Sequence, residues 1–249
     1  MRIAVNWRKL VIVGLDVVLA VYLVLAMTSF NKPDDSQHVC TDVKISIEQE
    51  MVEGFLDVDK VRLMLHNNHI YPVAQPMSQI DTRLIEETLN AEALVEHAEC
   101  YKTQGGDVCI NIKQRIPVVR VMDENGGDYY VDSHGEVMPP TNYTCNLIVA
   151  TGHINKSYAG KTLAPLARTL LCNDFWRNQV EQLNVLRDGS VEMVPRVGNH
   201  IVYIGQPTGV QTKLERLRKF YRYGLSQAGW NRYSRISVEF DNQIICKRR

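Results

Sequence analysis

The sequence predicts an α+β protein with an apolar N-terminal helix, a strand–helix–helix–strand–strand unit, and a larger mixed β-domain with packed helices. Three observations carry this. Residues Leu10 to Met27 form an apolar run whose only charge is Asp16. From Val39 to Arg115, alternating and helical periods succeed each other in that order. From Pro117 onward, short apolar strands are separated by turns rich in Gly, Asn and Asp, and a helix and a hairpin follow.

The apolar run reads as a transmembrane helix over residues 10–30. Its Leu10–Met27 core would rise roughly 27 Å, close to the hydrocarbon thickness of a bilayer. Arg2, Arg8 and Lys9 lie in the preceding tail, residues 1–9, and the positive-inside rule places that tail in the cytoplasm. The run exceeds the apolar core of a cleaved signal and no small-residue cleavage site follows, so an anchor is expected. Asp16 is costly in lipid and is a candidate for pairing with a neighbouring helix, or else is simply hydrated. A polar linker, residues 31–38, leads into the first unit, residues 39–115.

In that unit Val43, Ile45 and Ile47 alternate on one strand face. Asp57 is placed to cap a helix whose inner face holds Val58, Val61 and Leu65. Asp81 caps a second helix, Ile80 and Ile85 have staple spacing, and Leu84, Ile85 and Leu89 are expected inward. Strands at Val95–Lys102 and Val108–Gln114 close the unit. Cys100 and Cys109 flank its Gly-containing turn and are candidates for a disulfide in an oxidising compartment. The other four of the six cysteines are Cys40, Cys145, Cys172 and Cys246. None of the six forms a CxxC pair, which argues against a zinc knuckle or a thioredoxin-type motif.

The β-domain, residues 116–249, is expected to hold strands at Val118–Met122, Tyr129–Val131, Val137–Met138 and Leu147–Ala150. A helix follows at Leu163–Cys172. Two strands flank the Arg187–Asp188–Gly189 turn, a third lies at His200–Ile204, and a helix spans Lys213–Ala228. Arg235–Phe240 and Gln243–Lys247 read as a closing hairpin whose last strand leaves a sheet edge open to strand addition. The competing reading is that Lys247, Arg248 and Arg249 protect that edge.

Equal numbers of basic and acidic residues, 28 each, argue against a nucleic-acid binder. No GxSxG or phosphate-cradling loop is present. His66 and His69 would need a carboxylate to hold a metal. Asp132, Ser133 and His134 are adjacent on a turn and cannot form a catalytic relay. No cofactor, metal or reaction is expected. Trp176, Tyr221, Tyr223, Trp230 and Tyr233 are expected in packing rather than around a ligand. Lys213, Arg216, Arg218, Lys219 and Arg222 line the polar face of the last helix, either solvated or facing an acidic partner.

The layout resembles the bacterial cell-division family FtsQ/DivIB. The matching residues are Ile80–Asp81 with Leu84–Ile85–Glu86 and Leu89, and Ile112–Val118. They continue with Tyr129–Asp132 followed by Gly135, with Leu147–Gly152, and with the last helix plus Ile236–Ile245. The proline usual before the Thr-Gly strand is absent here, where Asn146–Leu147 stands. The resemblance implies that residues 39–115 form a POTRA domain. It implies a non-enzymatic divisome component of the inner membrane at the septum, with its bulk in the periplasm. It also implies partners of the FtsB and FtsL type, and further divisome contacts through the POTRA domain. Carried over by position, the docking edge is Gln243, Ile244, Ile245 and Cys246. The alternative is a POTRA-type chaperone or assembly factor of the bacterial envelope. A membrane-anchored hydrolase using His66, His69 or His134 is a more distant one.

Overall fold

The structure is a computed structural model that describes residues 7–29, 39–48, 56–140 and 147–249. The expected linker and Cys145 lie outside these residues. Helix α1 runs Trp7–Ser29. Its side chains are described for residues 11–26 and are exposed from Val11 to Leu25, Asp16 included. Among the described residues no helix is long and apolar enough to cross a membrane. The side chains described cover positions 11–26 of the expected 10–30 span. The outer positions of the expected 10–30 span fall outside the described side chains.

The first domain has the expected order: β1 (Asp42–Glu48), α2 (Val58–Asn67), α3 (Thr82–Asn90), β2 (Val95–Lys102) and β3 (Asp107–Gln114). Its sheet runs β1-β3-β2, with β1 parallel to β3 and β2 antiparallel. The central strand β3 alternates Val108, Ile110 and Ile112 into the core, and each is fully buried. Both helices start where a side chain accepts an orphan backbone N–H: Asp57 from Lys60 and Asp81 from Leu84. Ile80 and Ile85 both enter the core, as staple spacing demands.

Two expectations fail here for geometric reasons. Leu84 is exposed, because it sits one residue, about 100°, off the stripe set by Ile85 and Leu89. Cys100 and Cys109 form no disulfide. The ladder pairs Cys100 with Ile110 and Tyr101 with Cys109. A one-residue offset puts the two thiols on opposite faces of the sheet.

The second domain is built on one nine-stranded sheet. In chain order its first strands are β4 (Pro117–Asp123), β5 (Asp128–Asp132), β6 (Val137–Met138) and β7 (Ile148–Gly152). Helix α4 (Lys156–Tyr158) runs through a π-helical turn, Ala159–Leu163, into α5 (Ala164–Leu171). After α6 (Asp174–Gln179) come β8 (Val180–Val185), β9 (Val191–Pro195) and β10 (Ile201–Gly205). Helix α7 (Val210–Lys219) passes through a second π-helical turn, Phe220–Leu225, into α8 (Ser226–Ala228), and β11 (Tyr233–Ser237) and β12 (Ile245–Arg248) end the fold. The sheet order is β12-β11-β10-β9-β8-β7-β4-β5-β6. The helices bury Leu163, Leu170, Trp176, Leu217 and Tyr221 against Val119, Ala150, Leu183, Val202 and Ile236.

Helix α6 was not foreseen. Asn173 caps it, accepting from the N–H groups of Phe175 and Trp176, and so drives Trp176 into the core. Gly135 and Gly160 allow a backbone crossing where the β5–β6 turn meets the first π-helical turn. A Cβ on Gly160 would lie 2.5 Å from the Gly135 carbonyl oxygen, and Gly135 also holds φ +90°.

The two domains meet at Arg115. Its Nη1 donates to the Asp132 carboxylate at 2.6 Å and its Nη2 to the Val95 carbonyl at 3.1 Å. Tyr130 and Met138 of the β-domain pack with Leu94 and Leu147 beside this pair.

Candidate partner-docking edge

Strand β12 forms one margin of the nine-stranded sheet, and its one strand neighbour among the described residues is β11. The ladder is antiparallel and pairs Ser237 with Ile245, Ile236 with Cys246, and Arg235 with Lys247. The backbone groups that such a ladder turns away from β11 form a row that another strand can extend. Ile244 and Cys246 pack toward the core. Between them Ile245 is half exposed, at 50%. Burial holds the Cys246 thiol above its ordinary pKa.

The expected edge began at Gln243, whereas the strand begins at Ile245. The reason lies in β11, which stops at Ser237. The next residue, Val238, turns toward β10 and Arg216, donating its N–H to the Tyr203 carbonyl and accepting at its own carbonyl from Arg216 Nη2 at 2.9 Å, and Glu239, whose N–H would face Gln243, donates it to the Ser237 hydroxyl at 3.5 Å. Gln243 and Ile244 therefore form the approach to the ladder. Asn242, at φ +61°, makes the turn before them.

Helix α7 fixes this hairpin from below. Lys213 is only 7% exposed, and its ammonium donates to the carbonyls of Ile204 (3.1 Å) and Gln206 (2.8 Å). Desolvation by burial lowers its pKa, and the nearby Glu239 opposes that shift. Arg216 reaches both Val238 and, at 3.8 Å, Asp241. The expected basic stripe on this helix is thus divided. Lys213 and Arg216 hold the sheet end, while the Arg218 guanidinium lies over Phe175 and that of Arg222 over Tyr223.

On the opposite sheet face a side-chain chain runs toward the edge. Gln182 donates to Thr151, Asn184 to Glu192, and Arg235 pairs with Glu192 at 2.7 Å while lying 4.4 Å above the Tyr203 ring centroid. Beneath the helices Trp176, Phe175, Tyr221 and Trp230 make edge-to-face contacts. His200 bonds Tyr221 Oη at 2.7 Å, and its Nδ1 is buried without a partner among the described residues. Burial lowers the His200 pKa and raises that of Tyr221.

The residues weighed for chemistry occupy structural positions. His66 stacks on Tyr71, and His69 adopts a left-handed turn at φ +58°. No metal-sized group of three or more His, Cys, Asp or Glu occurs among the described residues. Asp132 accepts from the backbone N–H groups of His134 and Glu136 and from Arg115, so it builds the turn that Ser133 and His134 occupy. The roles of Lys213, Arg216 and Arg115 escaped the sequence reading. A lone basic residue at an inward helical position, such as Lys213 one turn before Leu217, was the available signal.

Two family models match the chain. One, described as POTRA-like domain, covers residues 38–113, and the other, described as FtsQ/DivIB, C-terminal related, covers residues 116–247. No curated protein matches it. The second match spans more than half of the sequence and coincides with the nine-stranded domain that carries the β12 edge, so the chain belongs to the FtsQ/DivIB family of cell-division proteins.

Proposed function

We propose that this chain is a non-enzymatic divisome scaffold that receives a strand of an FtsB-type partner, together with FtsL, along β12. The open β12 edge carries this reading. An added strand would gain backbone hydrogen bonds there, and the half-exposed Ile245 offers an apolar contact that helps set register. Gln243, Ile244 and Cys246 complete the docking segment by position, with Ile244 and Cys246 acting from the core side. The basic Lys247 and Arg248 favour an acidic flank on the incoming strand.

The reading includes a single-pass anchor in the bacterial inner membrane, N-terminus inside and bulk in the periplasm at the septum. It rests on the apolar run Leu10–Met27 and on family membership. Asp16 would then face a neighbouring helix rather than lipid. The POTRA domain would offer a second surface for other divisome members.

The test is recovery of an FtsB–FtsL pair by the full chain and by a chain lacking residues 243–249, each checked for folding by its melting transition. Loss of recovery with a cooperative transition retained is expected. Undiminished recovery refutes the docking edge. Uniform envelope fluorescence of a tagged chain in dividing cells, rather than midcell enrichment, refutes the divisome assignment.

A further inference from the structure

The POTRA sheet also has a margin at β2, and there the backbone is already occupied. Asn90 of α3 accepts from the Ala98 N–H at 2.9 Å and donates Nδ2 to the Ala98 carbonyl at 3.2 Å. This two-way bond is the one a neighbouring strand would make. One helical turn earlier, Glu86 Oε1 accepts from the Cys100 N–H at 2.7 Å. The two periods match. Residues four apart on a helix rise about 6 Å, and residues two apart on a strand about 6.6 Å, so one helix face meets successive backbone groups on the outer margin of β2. The ladder to β3 leaves Ala98 and Cys100 free for this, since alternate residues of an antiparallel strand turn their N–H and C=O away from the partner. At the ends of the strand, Arg115 Nη2 takes the Val95 carbonyl, and Lys102 folds back to the Met77 carbonyl at 2.5 Å.

We infer that Glu86 and Asn90 are specificity-determining residues: by mimicking a neighbouring strand they close the β2 margin to strand addition. The inference rests on strand addition being this protein's mode of binding, as proposed for β12, where no side chain among the described residues lies along the outer margin in this way. Both residues lie outside the packed core, so they can be changed without opening a cavity.

The test is amide hydrogen exchange of the full chain, read together with its association state by sedimentation. In Glu86→Ala/Asn90→Ala, protection at Ala98 and Cys100 falls about tenfold or more, as loss of the closing bonds implies. The opened margin then pairs with that of a second copy, giving concentration-dependent dimers. Glu86→Gln keeps an acceptor and retains protection at Cys100. Asn90→Asp keeps the acceptor for the Ala98 N–H but loses the donor. Unchanged protection in the double variant overturns the inference, and so does lost protection with the native association state. Failure of the β12 reading shows separately, as partner recovery that survives removal of residues 243–249 while these exchange results stand.

Discussion

Asp132→Ala tests whether the two domains are held by the Arg115–Asp132 pair. The carboxylate is 2% exposed and accepts three hydrogen bonds, from Arg115 at 2.6 Å, Glu136 at 2.8 Å and His134 at 2.9 Å. Its removal leaves a guanidinium that is 17% exposed without its counter-ion. Breaking one side of a buried pair costs about 3–5 kcal/mol. Arg115 keeps the Val95 carbonyl and some solvent, and the two turn N–H groups lie beside the exposed His134, where water replaces the lost acceptor. The lower end of that range, about 3 kcal/mol, is therefore expected. For a chain of this size that is a fall of roughly 6–12 °C in the melting midpoint.

The assay is thermal and urea unfolding of the native chain, Asp132→Ala, Arg115→Met and the double variant. Arg115→Met is milder, because Asp132 retains its two backbone donors. The double-variant cycle should show a coupling of about 1.5–3 kcal/mol, the range for a hydrogen bond to a charged group. A loss below about 1 kcal/mol for Asp132→Ala, or single losses that add within about 0.5 kcal/mol, refutes the assignment.

Burial depresses the His200 pKa, so the folded chain resists a proton that the unfolded chain accepts near its ordinary pKa of about 6.5. This contribution to stability is whole above that value and is lost as the pH falls below it. Urea midpoints at pH 7.5 and 5.5 should therefore differ more in the native chain than in His200→Phe, and equal differences would exclude the effect. Gly135→Ala combines a left-handed backbone, about 1–2 kcal/mol, with overpacking against Gly160, about 1–3 kcal/mol. Gly126→Ala, at φ +85° in open space, meets only the first cost, so a Gly135 variant no worse than the Gly126 variant would remove the close approach as its cause. Cys172 is exposed and should alkylate at once. Cys100 is buried, with its thiol pushed up to about 12, and should react only on unfolding. A Cys100–Cys109 disulfide found by peptide mapping would contradict the register of the hairpin.

The POTRA domain was legible because its signals are local. Asp57 and Asp81 each sit three residues before the backbone N–H they satisfy, and Val43 and Ile47 reach the core through a period of two. The errors lie where one residue of offset matters. Leu84 shares the helix with Ile85 but not its face, and Cys100 shares a hairpin with Cys109 but not its register. The terminal edge was legible as a hairpin, yet its start was not. Past Ser237 the backbone is taken by side chains: the Glu239 N–H bonds the Ser237 hydroxyl, and Arg216, 22 positions away in sequence, binds the Val238 carbonyl. The Glu86 and Asn90 closure was illegible for a related reason. Both residues look like ordinary polar surface on α3 until β2 is placed beside them.

A free margin is useful to a partner only if it is held flat before the partner arrives, since ordering a loose strand on binding would consume much of the backbone bonding gained. Here β12 is tied at three depths. Arg249 donates to the Asn199 carbonyl at 2.6 Å, Ser234 to the Lys247 carbonyl at 3.3 Å, and Arg216 fixes the turn side at Val238. Lys213 secures the end of β10 through two carbonyls, so the parallel neighbour of β11 is fixed as well. These ties belong to the side chains and to the inner margin of the hairpin. Among the described residues no side chain bonds the outer row of β12 backbone groups, whereas on β2 the corresponding row is spent on Glu86 and Asn90. Under the proposed strand addition, the preference for β12 over β2 follows from the side chains that already fill the β2 margin.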